Sequence, residues 1–500
     1  MDTVIAQAPP PKSRSVISLA GDGDWLPFVD GAQVAGTAGR LDDLNPWDGN
    51  IFAHVQLAGQ DMIETAIHAA TLAQRSWWSM GPGMRERLLL RTAELLEARG
   101  DDLVDTLVRE GGSTIGKARF EIHAAADMIR GAAGECRRVF GETMPSDIDG
   151  LLSLSVRRPI GVVAAILPFN FPLILGAKKL AFALAAGNGV VAKPSPHTPV
   201  IGLKLAQAFH DAGVPSGLVN MLPSDAALFA DTAMEHPAVG MITFTGSTAV
   251  GRELAAKAGR HLKRITLELG GKSPIVVLAD ADLDYAAHAA CFGIALHQGQ
   301  VCMVNSRVVV DASVHDEFVA KLADRLRALK HGDPDDPHTV IGPLIDSSKI
   351  PGLLDQLSHE VERGATIVCG GKADGPVLLP TLVTGIGPDS RLFNEESFGP
   401  IISVVCADDD AHALELANHS TFGLSSAVIT NDLRKALRFA EGLEAGMVHI
   451  NGSSILDEPL IPFGGVKASG IGREGGRHSI EAMTELKWIT IAREDRSFPF

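Results

Sequence analysis

Four short segments of this chain carry side chains that packing alone explains poorly. The first is His297-Gln-Gly-Gln-Val-Cys-Met303, ahead of the apolar run Arg307–Asp311. Two glutamines and a glycine make poor core material, so the segment reads as a turn presenting the Cys302 thiol. A free thiol has a pKa of about 8.5 and needs donors or positive charge to act as a nucleophile. On local context alone, a packing thiol is the commoner role. The second segment is Thr266-Leu-Glu-Leu-Gly-Gly271. Glu268 is either a solvent-facing strand carboxylate or a general base whose pKa is raised by an apolar setting. The third is Leu167-Pro-Phe-Asn-Phe-Pro172, where prolines bracket Asn170. An amide held there can donate to a developing oxyanion, or simply satisfy loop backbone. The fourth is Phe244-Thr-Gly-Ser-Thr-Ala-Val-Gly251, a glycine turn with hydroxyls opening a helix. Gly246 and Ser247 offer free N–H groups and a positive dipole end to a phosphate, although Gly-Ser-Thr also starts helices by capping alone.

These segments require rigid elements behind them. Ile160–Leu167 is a continuous apolar run, as a strand buried on both faces requires, and Gly189–Ala192, Leu218–Leu222 and Val239–Phe244 are further short strands. Helices Leu180–Ala186 and Val200–Ala212 alternate with them. That alternation predicts a parallel, right-handed α/β sheet, the usual bed for a dinucleotide. From about Gly270 a second α/β section follows. Its candidate strands are Ile275–Leu278, Arg307–Asp311, Thr366–Cys369, Ile402–Val405, Ser426–Ile429 and Met447–Ile450, with helices Val314–Leu329 and Ala411–Asn418 between them. Asp61 to about Ala132 has helical periodicity, broken at Gly81-Pro82-Gly83. Leu151–Val156 alternates as an exposed strand does, and Glu485–Ile491 is a lone strand that must pair with something distant.

Composition narrows the function classes. Five hundred residues exceed one hydrophobic core, and a formal charge of −16 argues against a nucleic-acid partner. The longest apolar stretch, Pro159–Ala177, is interrupted by Pro168, Asn170 and Pro172, which no membrane span facing lipid tolerates. The residues up to Trp25 read as a mobile leader without a signal-type apolar core. The five cysteines are scattered, with no CxxC pair or zinc spacing, so no metal is expected, most should be buried and inert, and the cytoplasm is the expected compartment.

Together and in this order, the segments resemble the aldehyde dehydrogenase superfamily over essentially the whole chain. Lys193-Pro194, Gly342-Pro-Leu-Ile345, Glu395-Glu-Ser-Phe-Gly-Pro400 and Pro462–Gly470 with Gly472-Arg-Glu474 extend the match. The resemblance implies Cys302 as nucleophile, Glu268 as the base for water, and Asn170 with the Cys302 amide as oxyanion donors. It implies Lys179 and Glu474 in proton movement. NAD is the expected cofactor, held by Ile166, Lys193, Ser195, Gly246, Ser247, Glu396 and Phe398. Many NAD-preferring members carry a glutamate three residues after the lysine; Pro196 stands there instead, so NADP is not barred.

Leu296–Met303, Gly446–Asn451, Asp457-Glu-Pro459 and Glu485–Thr490 are similar to the benzaldehyde, salicylaldehyde and vanillin dehydrogenase group. By that resemblance the substrate is an aromatic aldehyde. Phe171, Ile174, Leu175 and Leu296, with Val301, Met303, Leu456 and Phe463, are the candidate pocket residues. The alternatives are an aliphatic or semialdehyde substrate, acyl transfer to CoA, a cofactor-independent cysteine esterase, or a silent scaffold. The implied architecture is two doubly wound parallel-sheet domains plus a β-ribbon. The Rossmann-like cofactor domain takes residues 1–135 and 159–269, and the catalytic domain 270–479. The ribbon, 136–158 with 480–500, is expected to build a homodimer or homotetramer.

Overall fold

The apolar run after Pro159 forms the strand Val162–Ile166, buried throughout, at the centre of a parallel sheet. Side by side across that sheet lie Val219–Met221, Gly189–Lys193, Val162–Ile166, Val239–Thr245 and Arg264–Glu268. The chain therefore builds outward from the central strand on one side, then crosses back and builds the other. That reversal opens a crevice at the carboxyl ends of the central strands. Residues 23–498 and 500 are described in the computed structural model. The expected leader lies outside them through residue 22, but its last residue, Trp25, is buried and bridges to Val55.

Three short antiparallel strands complete the sheet. Phe28–Val29 pairs with Met221 and, on its other side, with Ala32–Gln33, and Gly470–Ile471 pairs with Leu267 and Glu268. The last contact brings a segment from late in the chain onto the strand that carries Glu268. The second sheet has seven strands, in the order Thr366–Cys369, Thr381–Thr384, Ile401–Ala407, Arg307–Asp311, Pro274–Val277, Ser425–Ile429 and Met447–Ile450. Only its Thr366–Cys369 edge runs antiparallel to its neighbour. Thr484–Ala492 pairs residue by residue with Leu151–Pro159, which also takes Glu142–Met144, making a three-stranded ribbon. The lone C-terminal strand thus finds its partner more than 300 residues earlier.

One helix departs from expectation. It spans Pro172–Ala185 rather than starting at Leu180, with Pro172 in its first turn and every residue buried. Leu173 to Ala177 shows no amphipathic period because this helix has no solvent face to mark. The cysteines also differ: Cys136 and Cys291 are buried, Cys302 and Cys369 half-buried, and Cys406 exposed. Among the described residues no helix is long and apolar enough to cross a membrane.

The turn before Cys302 is unusual in its backbone. His297, Gln298 and Gly299 have φ of 47°, 56° and 72°. A Cβ on Gly299 would lie 2.3 Å from the Gly399 carbonyl oxygen. An L-residue with positive φ costs about 1–2 kcal/mol before any clash. Gly299→Ala is therefore expected to destabilise the fold by more than about 2 kcal/mol in denaturant titrations, since the facing atom is backbone. A loss under about 0.5 kcal/mol, the range of an ordinary surface change, would show that the turn yields freely.

Candidate active site

Glu268 is the last residue of its strand and pairs in register with Thr245. The next residue along that neighbour, Gly246, donates its N–H to the Glu268 carbonyl at 3.0 Å. The carboxylate candidate and the glycine turn are thus adjacent by strand pairing alone. Asn170 follows the central strand Val162–Ile166 in the same sheet. Cys302 comes from the second section, on the turn just before strand Arg307–Asp311. A single cleft of about 370 Å³ takes lining from Cys302, Glu268, Asn170, Gly246, Ser247 and Glu396.

The Asn170 amide Nδ2 donates to the Gln300 carbonyl at 3.0 Å, across the boundary between the two sheets. Reversing the amide would set two acceptors against each other, so the nitrogen must face that carbonyl. Among the described residues its second N–H has no partner, nor has its Oδ1. The loop is held from behind by Lys117, whose Nζ donates to the Asn170 carbonyl at 2.8 Å and to Ser113 Oγ at 3.0 Å. Lys117 pairs with Glu121, which accepts from the Leu173 N–H at 2.8 Å at the start of the next helix. Sequence reasoning missed this pair. A Lys and a Glu four apart on a helix have the pattern of an ordinary surface ion pair, yet both are fully buried.

Electrostatics set the state of the two reactive groups. Glu268 is 2% exposed, and among the described residues neither carboxylate oxygen has a hydrogen-bond partner. Burial pushes its pKa well above the ordinary value, the Glu474 charge adds to this, and Lys179, Lys178 and Arg473 offset it only in part. Burial also pushes the Cys302 thiol up, and the charges of Glu268, Glu396 and Asp457 push it further. Thiolate and carboxylate therefore oppose one another. Lys179 donates to Thr243 Oγ1 at 2.9 Å and pairs with Glu474. Burial raises the Glu474 carboxyl, but Lys179 and Lys178 outweigh it and its pKa ends below the ordinary value.

The other arm of the cleft suits a phosphorylated polyol. Helix Thr248–His261 opens beyond Gly246, with Ser247 Oγ accepting from the Val250 N–H at 3.4 Å. A Cβ on Gly246 would lie 2.4 Å from the Phe244 ring, which keeps the turn bare for close approach. Thr245 Oγ1 is buried without a partner. Lys193 pairs in register with Ile166, and among the described residues its Nζ donates to the Pro194 carbonyl alone, at 3.1 Å. Burial lowers its pKa to about 8. Ser195 lines the cleft nearby. Glu396 accepts from the Gly271 N–H at 3.1 Å, and Phe398, φ 47°, meets Phe169 edge-on at 5.7 Å. The hydroxyl and N–H groups along this cleft, with the Lys193 ammonium two residues before its wall at Ser195, are what a dinucleotide would satisfy.

The expected pocket residues do not line this cleft. Phe171, Ile174, Leu175, Val301, Met303 and Phe463 are buried in the core that runs through both halves of the chain, and Leu296 and Cys302 pack against that core. Leu456 does not join them. It is 46% exposed, while its neighbour Ile455 packs on the cluster, as successive side chains of an extended segment point to opposite sides. Lys178 and Asp457, neither assigned a role from sequence, form an ion pair at 2.7 Å.

Comparison with known proteins follows the same lines. The model of the aldehyde dehydrogenase family matches residues 34–489. A vanillin dehydrogenase of Pseudomonas fluorescens is 42% identical over 458 residues, which is 91% of this chain and 95% of that protein. The benzaldehyde dehydrogenase YfmT of Bacillus subtilis is 40% identical over 475 residues, 95% of this chain and 98% of that protein. The crystal structure of a salicylaldehyde dehydrogenase from Pseudomonas putida G7, complexed with salicylaldehyde, superposes with a TM-score of 0.93 at 37% identity. It covers 95% of this chain and 99% of that one.

A base at Glu268 has a pH signature. Because burial and Glu474 raise its pKa, turnover should climb with pH along a limb above the ordinary carboxylate value, as the carboxyl loses its proton. Glu268→Gln should cut turnover by about 10²–10⁴-fold and remove that limb from the pH–rate profile. The same limb persisting in the variant would assign it to another group.

Proposed function

The chain belongs to the aldehyde dehydrogenase family, and from that membership we propose that it oxidises aromatic aldehydes to carboxylic acids through a thioester on Cys302. The observation that carries this reading is the single cleft in which Cys302, an unpartnered buried Glu268 and the free Asn170 N–H adjoin the glycine turn. As an NAD(P)-dependent enzyme of this family it converts aldehyde, water and oxidised dinucleotide to acid, reduced dinucleotide and a proton.

The Cys302 thiol gives up its proton through Glu268 to the adjoining Lys179 and Glu474 pair as its sulfur bonds to the aldehyde carbon, and the carbonyl oxygen becomes an oxyanion. The free N–H of Asn170 and the backbone N–H of Cys302 take that charge, a donor of this kind being worth about 3 kcal/mol. NAD(P), when bound, supplies the acceptor for the hydride that leaves the adduct. Glu268 then removes a proton from water, whose oxygen attacks the thioester carbon and releases the Cys302 sulfur. Lys179 and Glu474, joined to Thr243, offer an adjoining path for the proton. Ile166, Lys193 and Ser195 would hold the adenosine end of the cofactor, Gly246 and Ser247 its diphosphate, and Glu396 with Phe398 its nicotinamide end. Pro196 removes one carboxylate from the ribose site. The Asp225 charge still bears on Lys193, however, and would oppose a 2′-phosphate. NAD is therefore the favoured form.

An aromatic ring suits the cluster of Phe171, Ile174, Leu175, Val301, Met303 and Phe463, and the named relatives act on such aldehydes. A nucleophilic thiol must stay reduced, which is consistent with the cytoplasm. In the ribbon, Thr484–Ala492 is an edge strand with Leu486 and Trp488 on one face, 60% and 69% exposed. An uncovered apolar edge invites association, so the protein is proposed to be a homodimer or homotetramer built through it.

Two experiments test these statements. Purified enzyme given aromatic and aliphatic aldehydes, each with NAD and NADP, should form reduced cofactor fastest with an aromatic aldehyde and NAD. Cys302→Ala should abolish the reaction; turnover near the wild-type rate in that variant, a CoA requirement, or ester cleavage without cofactor would each overturn the scheme. Separately, Leu486→Asp with Trp488→Asp should convert the assembly to monomers in sedimentation experiments. A wild-type monomer would refute the ribbon's role.

A further inference from the structure

The loop that carries Asn170 is gripped at both ends by one buried ion pair. Lys117 and Glu121 stand one turn apart on helix Ile115–Glu135, with side chains 2% and 0% exposed. The Lys117 ammonium donates to the Asn170 carbonyl at 2.8 Å and to Ser113 Oγ at 3.0 Å, and its third N–H goes to Glu121. Three acceptors at once require the protonated form, which alone has three donors. Among the described residues Lys117 is the one donor to the Asn170 carbonyl. Glu121 faces the other way, and its Oε1 accepts from the Leu173 N–H at 2.8 Å and the Ile174 N–H at 3.4 Å. The pair therefore spans Asn170-Phe171-Pro172. Its cation holds the carbonyl before the proline, and its anion holds the helix N-terminus after it.

Stability does not account for this pair, since a buried ion pair is often no better than packed apolar residues of the same size. Its place does. The Lys117 nitrogen lies 4.5 Å from the centre of the Phe171 ring, and that ring meets His297 edge-on at 5.6 Å. His297 begins the positive-φ turn before Cys302, and the Lys117 charge bears on it. The ammonium thus stands behind both loops that supply candidate oxyanion donors. On its cleft side Asn170 is fixed by a single N–H, donated to the Gln300 carbonyl. One contact leaves an amide free to pivot unless its backbone is also held. A donor aimed at a developing oxyanion acts through fixed placement, and a misplacement of about 1 Å costs about 10²-fold in rate.

We propose that Lys117 is a positioning residue for the oxyanion: its charged hydrogen bond to the Asn170 carbonyl, braced by Glu121 and Ser113, holds the unpartnered Asn170 N–H in the cleft. Lys117 is not among the residues lining that cleft and touches no substrate. It acts through Asn170. Glu121 supplies the counter-charge and fixes the start of the following helix, so the Asn170 loop hangs between two anchored points. Without the ammonium, the Asn170 carbonyl is buried without a donor, and the peptide turns to find one, carrying the amide with it. The inference rests on the thioester reading above and names the residue that sets the geometry of its oxyanion donor.

The test is a double-mutant cycle in the full-length enzyme, with an aldehyde that the wild type oxidises. Lys117→Met keeps an unbranched apolar chain and removes the ammonium. Lys117→Met/Glu121→Gln also removes the counter-charge while leaving an acceptor for the Leu173 N–H. Both are made in the wild type and in Asn170→Ala, and thermal unfolding with dinucleotide titration reports whether fold and cleft are retained. In the wild-type background kcat should fall by about 10–10²-fold, with KM for the aldehyde changed by less than about three-fold. In Asn170→Ala the same substitutions should lower kcat by less than about three-fold, because the group they act through is gone. Equal factors in the two backgrounds overturn the inference, because the pair would then act on the thiol or the fold. A kcat within about three-fold of wild type, a loss confined to KM, or failure of both variants to fold overturns it too. If Asn170→Ala itself turns over near the wild-type rate, the oxyanion assignment fails; if it loses activity and the Lys117 variants do not, only the positioning role fails.

Discussion

A carboxylate with both oxygens buried and unpartnered is the constraint on which the remainder of this structure depends. A protein ordinarily hydrogen-bonds such a group or leaves it in water. Glu268 has neither, and the surrounding backbone preserves its isolation. Strand pairing fixes its Cα beside Thr245 on one side and Gly470 on the other. Gly464, at φ 150°, leaves space for the carboxylate, since a Cβ there would lie 2.8 Å from Glu268 Oε1. The result is a base facing the cleft with its proton affinity raised by burial.

The second consequence is that no single sheet builds the site. One sheet supplies Glu268, the glycine turn and Asn170; the other supplies Cys302. Holding them in register falls to a few hydrogen bonds that cross between the halves, of which Asn170 Nδ2 to the Gln300 carbonyl is the most direct. Behind it, Gln300 Oε1 accepts from the Ile345 N–H at 3.0 Å, and Gln298 Nε2 donates to the Gly112 and Pro343 carbonyls at 3.0 and 2.9 Å. The two glutamines that made the segment around Cys302 poor core material are therefore its fastenings. Their amides satisfy the Gly112 and Pro343 carbonyls and the Ile345 N–H, from two distant parts of the chain, and fix the thiol's turn in a conformation that L-residues rarely adopt.

These roles differ in how far they can be read from residues alone. Strands such as Val162–Ile166 and Arg307–Asp311 announce themselves because burial on both faces demands an unbroken apolar run. Glu268, Asn170 and Cys302 stand out because each is polar where the pattern calls for packing. Lys117 and Glu121 do not stand out, because an i,i+4 ion pair has one spelling whether the helix faces water or the interior. Lys178 hides beside Lys179 for a related reason: the first turns of helix Pro172–Ala185 are buried all round, so periodicity cannot say which lysine faces which partner. Leu456 fails in the opposite sense. Its apolar side chain and its place before Asp457 fit a pocket wall, yet the turn of the chain points it outward.

The charge balance of the buried site gives the arrangement a direction. Glu268, Glu396, Glu474 and Asp457 are matched by Lys178, Lys179, Arg473 and Lys272, yet burial still raises the pKa values of the first, second and fourth of these carboxyls. Such a cavity resists any additional anion, which explains why the candidate oxyanion donors are amide N–H groups, able to stabilise charge only at short range and fixed position. It also discriminates between the two ends of the proposed reaction. An aldehyde enters neutral and meets no field-dependent barrier, whereas the acid formed from it is anionic beside Glu396, and beside Glu268 once that carboxyl has passed its proton on. Like-charge repulsion at low dielectric then works against product retention. The burial that tunes the base thus also favours release of what the base helps to make.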